Sequence, residues 1–151
     1  MRAVIQRVSG SRVKADGRET GRIGRGLLVF LGIEKTDTEK DMDWLAAKVP
    51  VIRCFEDEEG KMNRSLADCG HEVMVISQFT LYGSLRKGTR PSFNRAADPE
   101  KAIPLYGAFV KRLEELTGKP VATGVFGAEM EIEAVNDGPV TLVLDTRDRD
   151  F

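Results

Sequence analysis

Histidine and cysteine are nearly missing from this chain. His71 is its only imidazole, and Cys54 and Cys69 are its only thiols, neither of them in a CxxC pair. A structural zinc site takes about four ligands of these kinds, so one built from His and Cys is excluded. The two thiols read as ordinary buried groups. No spaced acidic motif argues for a carboxylate-held magnesium ion, and no metal or other cofactor is expected. The scarcity of histidine also removes a Ser-His-Asp triad. His71 lies six residues before Ser77, at the opposite end of one short strand and out of hydrogen-bond reach. There is no Walker loop, and no GxGxxG follows a strand. No apolar run approaches the length of a membrane span. Gln6 and Arg7 stand where a signal peptide would continue its apolar core, so the expected compartment is the cytoplasm. The net charge of -1 excludes a wholesale nucleic-acid coat, and contact with a nucleic acid would need a local basic patch.

What is present suits one globular domain. The 151 residues are 41% hydrophobic and 31% charged, a balance that supports a packed core and not a disordered chain. We assign residues 1–145 to a single domain and 146–151 to a charged, loosely held C-terminal tail. Arg2 to Val8 reads as a first strand. Asp16-Gly17 is a hairpin signal joining Arg12–Ala15 to an arm around Arg18–Ile23. Leu27 to Leu31 is an apolar run suited to a strand buried on both faces. Thr36 and Glu39 have the spacing of a capping box, and Met42, Leu45, Ala46 and Val49 follow at helical spacing until Pro50. Val51–Phe55 and Val73–Ile76 read as strands. Asp98-Pro99 starts a second helix, whose apolar stripe includes Leu105, Tyr106, Phe109 and Leu113 and which Gly118 ends; Pro104 would separate or bend its first turn. Glu129–Val135 and Val140–Leu144 are two further strands. Six to eight strands and two helices, not alternating, predict an α+β fold: a mixed, largely antiparallel, barrel-like sheet packed by two main helices.

Two stretches carry candidate chemistry. Ser77-Gln-Phe-Thr80 follows the buried strand Val73–Ile76. It reads either as a strand end fraying into a polar turn or as groups held rigidly enough to position a substrate carbonyl. Asn136-Asp-Gly-Pro-Val-Thr141 sits between two strand patterns. Pro139 removes an amide donor there, and the stretch reads either as a simple Gly-Pro turn or as a turn presenting bare carbonyls at a fixed angle. A third feature is the loop Leu81–Arg95, where Arg86, Lys87, Arg90 and Arg95 concentrate positive charge. It is either a solvated loop or a phosphate-contact patch. No general base is visible, so an enzyme built on this chain would act on an already labile bond by positioning and hydrogen bonding.

Together these stretches resemble the D-aminoacyl-tRNA deacylase family. The resemblance rests on Ser77–Thr80 and Asn136–Thr141, with support from Val4–Val8, Gly26–Val29, Gly60–Asn63 and Arg90–Phe93, in order over nearly the whole chain. It implies a cytoplasmic homodimer that hydrolyses the ester between a D-amino acid and the 3′-terminal adenosine of tRNA, and that also removes glycine from mischarged tRNA(Ala). It implies that Gly138-Pro139, in the cis form, enters the partner's pocket and excludes an L side chain, with Arg7 orienting the motif and Thr141 beside it. Ser77, Gln78, Phe79 and Thr80 would form the catalytic pocket, with main-chain amides around Phe79 near the ester carbonyl. Thr80 as nucleophile and a water assisted by the ribose 2′-hydroxyl are the two routes of attack; a threonine hydroxyl without a base is a weak nucleophile, which favours the second. Phe126 and Met130 match a segment near the terminal adenine, where base stacking and core packing compete for Phe126 and core packing is favoured for Met130. The stretch Tyr82-Gly-Ser-Leu-Arg86 departs from the family pattern, so individual roles do not transfer to that loop. Two other readings stand beside this one: a nucleic-acid-binding protein without catalysis, and a related deacylase with a trans Gly-Pro bond that accepts an L-amino acid. Arg7 weighs against the latter.

Overall fold

The computed structural model describes residues 1–149. Its organising strand is β1 (Arg2–Ala15), one continuous element where the sequence suggests two. Asp16 and Gly17, both with positive φ, turn the chain into β2 (Arg18–Ile23) as the hairpin signal requires. β3 (Gly26–Gly32) returns along β1. Then come α1 (Glu39–Lys48), β4 (Phe55–Glu56), β5 (Met62–Arg64), α2 (Leu66–Cys69) and β6 (Glu72–Ser77). α3 (Pro99–Thr117), β7 (Ala122–Thr123) and β8 (Met130–Asp145) complete the order. β1 pairs antiparallel with β8 along one edge and with β3 and β2 along successive halves of the other. β3–β6 and β6–β7 are parallel. β2 curls round towards β7, leaving a mixed, nearly closed barrel. The predicted α+β class therefore stands.

Strand alternation divides the core. Leu27, Val29 and Leu31 of β3 and Val73 and Val75 of β6 face α1 and α3, where they meet Leu45, Phe109 and Leu113. Leu28, Met74 and Ile76 face the inside of the curl with Val8 and Val13. Full burial of side chains of this size stabilises the fold by about 1.5–3 kcal/mol each. The expected two-faced burial of Leu27–Leu31 follows from having a neighbouring strand on each side and packed matter on both faces.

Several local expectations shift. The capping box lies at Thr38 and Asp41 and not at Thr36 and Glu39, because Asp41 reaches back to the Thr38 amide at 2.9 Å. Val51–Phe55 is not a strand. Val49–Val51 form a 3₁₀ turn opened by Pro50, and strand pairing starts only at Phe55. α2 is a third, four-residue helix with its own capping box at Ser65 and Asp68. α3 runs unbroken through Pro104, which forfeits one hydrogen bond near the helix start without separating the first turn. Asn136–Thr141 is no hairpin turn, since β8 is paired to β1 on both sides of it. Of the predicted loose tail, residues 146–149 are tied down. The Thr146 amide donates to Met1 O at 2.8 Å, and the Arg147 guanidinium donates to Thr36 O at 2.8 Å. Residues 150 and 151 of that tail lie outside the described residues. Among the described residues, no helix is long and apolar enough to cross a membrane.

The parallel register of β3 and β6 positions the site, and it depends on Gly26. A Cβ there would lie 2.0 Å from the Glu72 carbonyl oxygen. Gly26→Ala should force the two strands apart and cost about 1–3 kcal/mol, read as a lower urea midpoint at unchanged slope. An unchanged midpoint would contradict this close approach.

Candidate active site

β6 ends at Ser77, and the parallel ladder continues one residue further. The Gln78 amide donates to Leu31 O at 2.8 Å. The chain then folds into a 3₁₀ turn, Phe79–Tyr82, closed by Leu81 N–H to Gln78 O and Gly83 N–H to Thr80 O at 3.3 and 2.9 Å. The amides of Phe79 and Thr80 lead this turn, so neither has an acceptor within it. The Gln78 side-chain amide donates to the Thr80 hydroxyl oxygen. Thr80 thus faces a donor and not a base.

Ser77, Gln78 and Phe79 open onto a cavity of about 530 Å³, whose other walls include Phe93, Tyr106, Phe126 and Met130. Phe79 stands at the rim, 57% exposed, edge-on to Phe93 with centroids 5.0 Å apart. Phe126 meets Tyr106 edge-on at 5.7 Å, and the Tyr106 hydroxyl donates to Val75 O at 2.8 Å, tying α3 to β6. Burial pushes the Tyr106 phenol up to about 12. Met130 packs on the core inside the curl while presenting part of its surface to the cavity. Phe93 and Tyr106 join the site without a signal in the sequence that marks them as site residues. Tyr106 fits the apolar stripe of α3, and its hydroxyl, the one on that stripe, is the feature that sets it apart. Thr80 does not line the cavity and lies just beyond its rim.

The remaining predicted residues form a second cluster that does not line this cavity. Between Gln6 and Val8 of β1, the partner strand advances from Thr141 to Asn136, five steps against two. The surplus residues bulge out opposite Arg7. A bulge is where a strand tolerates Pro139. The Gly138–Pro139 bond is cis, not the trans form of the alternative reading, and Gly138 has φ +134, where a Cβ would lie 2.7 Å from the Val140 side chain. Asn136 clamps the bulge: its Oδ1 accepts from Val140 N–H at 3.2 Å and its Nδ2 donates to Val140 O at 3.3 Å. Arg7, only 4% exposed, donates from Nε to Asp137 O at 3.0 Å and from Nη1 to Cys54 O at 2.6 Å. The Asp137 carboxylate lies 3.4 Å from Nε. The Thr141 hydroxyl accepts from Gln6 and Asn136 at 3.3 and 3.4 Å. Gly138 and Pro139 are exposed, as are Val135, Leu142 and Val143 on the same strand.

The sequence profile of the D-Tyr-tRNA(Tyr) deacylase family matches residues 4–145. A D-aminoacyl-tRNA deacylase of Opitutus terrae is 57% identical over 150 residues, covering 99% of this chain and 100% of that protein. A protein of the same name from Geobacter sulfurreducens is 54% identical over 99% of this chain and 97% of its own. Among solved structures, the c-Myc DNA Unwinding Element Binding Protein superposes with a TM-score of 0.90 at 38% identity, over 96% of this chain and 98% of its own. A probable eukaryotic D-amino acid tRNA deacylase shares the fold, with a TM-score of 0.82 at 17% identity over 95% of this chain and 97% of its own.

Two measurements check this geometry. Arg7→Lys cannot serve both the Asp137 and Cys54 carbonyls with a planar fork, and should destabilise the protein by about 1.5–3 kcal/mol in urea unfolding. Both tyrosine phenols are raised by burial, Tyr106 to about 12 and Tyr82 further. A phenol whose folded value exceeds its unfolded one stabilises the native state fully below about pH 10, and that contribution is lost as pH rises through the folded value. Folded protein should therefore show no phenolate absorbance step near pH 10, and its stability should fall from about pH 10 upward.

Proposed function

The chain belongs to the D-Tyr-tRNA(Tyr) deacylase family, and from that premise we propose that the cavity beside Phe79 receives the esterified end of a D-aminoacyl-tRNA and hydrolyses the ester. The products are a free D-amino acid and an uncharged tRNA, which makes the chain an editing hydrolase of the cytoplasm. The observation that carries this reading is the cavity's position: it opens at the head of the 3₁₀ turn, where the Phe79 and Thr80 amides have no acceptor among the described residues. Those amides are suited to hold the oxyanion that forms when the ester carbonyl is attacked. Thr80 is not the nucleophile in this mechanism. Its hydroxyl receives a hydrogen bond from Gln78, and among the described residues no base accepts its proton. Water attacks instead, assisted by the neighbouring ribose 2′-hydroxyl. Phe126, half-buried at the cavity wall, offers an aromatic face for the terminal adenine.

Chiral selection falls to the second cluster. Gly138-Pro139 lies on an exposed bulge away from its own chain's cavity, so its carbonyls serve a cavity in a second copy. Apolar side chains left exposed along β8 support this assembly: Val135 at 63%, Leu142 at 37% and Val143 at 36%. In the homodimer the inserted motif blocks the position of an L side chain and leaves the D side chain free. A filter that works by rejection admits any residue lacking the rejected group, so glycine on tRNA(Ala) passes too. Arg7 and Asn136 hold the bulge in the presenting conformation. A second reading, nucleic-acid binding without chemistry, has the basic loop and the name of one structural relative behind it; it predicts no ester cleavage.

The deciding experiment follows ester loss from D-tyrosyl-tRNA and L-tyrosyl-tRNA. The D-ester should be cleaved about a hundredfold faster or more. Equal rates, or none, would reject the proposal. Thr80→Ala should keep its rate within about fivefold, against a loss on the order of 10⁴-fold or more for a true nucleophile.

A further inference from the structure

A second cavity, of about 470 Å³, takes its lining mainly from the same stretch of chain, with residues 82–86, 92, 94 and 95 interleaved with the first cavity's Phe79, Phe93 and Ala96. Phe79, Phe93 and Ala96 face the apolar cavity, while Tyr82, Ser92, Asn94 and Arg95 face the other. The lining therefore changes character within a few residues, from aromatic and aliphatic to polar and cationic. Arg2, Ser84 and Arg86 add to the polar side. From residue 73 to residue 97 there is no acidic residue, while Arg86, Lys87, Arg90 and Arg95 give this stretch four positive charges in a chain of net charge -1.

The stretch is built and not merely charged. Ser84 and Ser92 exchange both backbone hydrogen bonds, at 2.8 and 3.0 Å, which pins the base of the loop carrying Arg86, Lys87 and Arg90. Arg95 is anchored through Nε to Glu34 at 2.7 Å and lies over the Tyr82 ring at 5.5 Å. Among the described residues its two Nη groups have no protein partner, and neither has the Arg86 guanidinium. Guanidinium edges held beside hydroxyls and an amide suit a phosphate.

We propose that this second cavity is a phosphate subsite for the RNA backbone. It rests on the reading of the first cavity as the seat of an esterified 3′-terminal nucleotide. Such a nucleotide continues into the chain on one side only, and the second cavity takes the phosphate that joins it to the nucleotide before it. Arg86 and Arg95 hold that phosphate, with Ser92 and Asn94 beside it. The grip is independent of base identity. It fixes how far the terminal ribose enters the apolar cavity, and so where the ester carbonyl meets the Phe79 and Thr80 amides.

The test uses binding of a short uncharged RNA ending in CCA, read by fluorescence anisotropy. A second RNA carries a neutral methylphosphonate at its last linkage. The unaltered protein should bind the neutral-linkage RNA about tenfold more weakly, with the slope of log K against log salt reduced by about 0.7, the share of one phosphate on a single strand. Arg86→Gln should show both changes with the ordinary RNA and no further loss with the neutral-linkage RNA. Lys111→Gln, on the outer face of α3, should behave as the unaltered protein. Additive losses in Arg86→Gln, equal affinity of the unaltered protein for both RNAs, or equal weakening by Lys111→Gln would each overturn the subsite. Because the RNA carries no ester, failure of deacylation leaves this result readable, and the two proposals fail separately.

Discussion

The bond from the Gln78 amide to the Leu31 carbonyl, 2.8 Å long, fixes where the candidate site begins. It is the last rung of a parallel ladder running from Gly26 opposite Glu72, and it holds the backbone of β6 until the residue at which the 3₁₀ turn starts. Parallel strands keep this register only while both faces are packed. Here one face is packed by α1 and α3 and the other by the inside of the curl. The aromatic cavity, the leading amides of the turn and the polar cavity beyond them all follow in sequence from that rung. In the proposed reaction the turn acts through its leading peptide groups, which this rung holds still.

The second cluster depends on a different device. Arg7 is a buried cation whose acceptors are mainly carbonyls of Asp137 and Cys54, with carboxylates at greater distance. A guanidinium can serve two separated carbonyls because its donors lie in one rigid plane. It therefore couples the bulge of β8 to the segment before β4, while Asn136 replaces the ladder bonds that the bulge gives up. In the proposed assembly these groups work on a neighbour's cavity, which accounts for one chain holding two well-ordered clusters that do not meet.

Much of this was legible in the residues. The hairpin at Asp16-Gly17 and the two-sided strand at Leu27–Leu31 follow from local chemistry, and the fold class follows from element order. Ser77 to Phe79 line the cavity as their place in the sequence suggests, because residues directly after a buried apolar strand stand at the end of the sheet. The differences have two causes, one local and one long-range. Asn136-Asp-Gly-Pro carries every local signal of a turn, yet β1 pairs on both flanks and keeps the strand whole. Val51–Phe55 has strand composition, but Pro50 opens a 3₁₀ turn first. Tyr106 looked like one more apolar helix residue because its hydrogen bond to Val75 O joins elements far apart in sequence. Long-range pairing decided the first and the last of these, and a single sequence shows that only indirectly; the second turned on the local effect of Pro50.

The three-residue surplus in β8 also sets a rule for how this chain can drift in length. Beyond the bulge, Leu144 turns towards the core and Asp145 receives Arg2 at 2.7 Å. Side chains on a strand alternate faces, so a one-residue slip of β8 against β1 beyond the bulge would invert every position from Thr141 to Asp145. It would expose the Leu144 position and bury its neighbours. The bulge, whose residues have no ladder partner on β1, absorbs a change in length without such a slip, provided that Thr141 stays opposite Gln6 and Asn136 stays opposite Val8. Its residue types are less free than its length: a side chain at Gly138 would meet Val140, and Asn136 clamps the same residue.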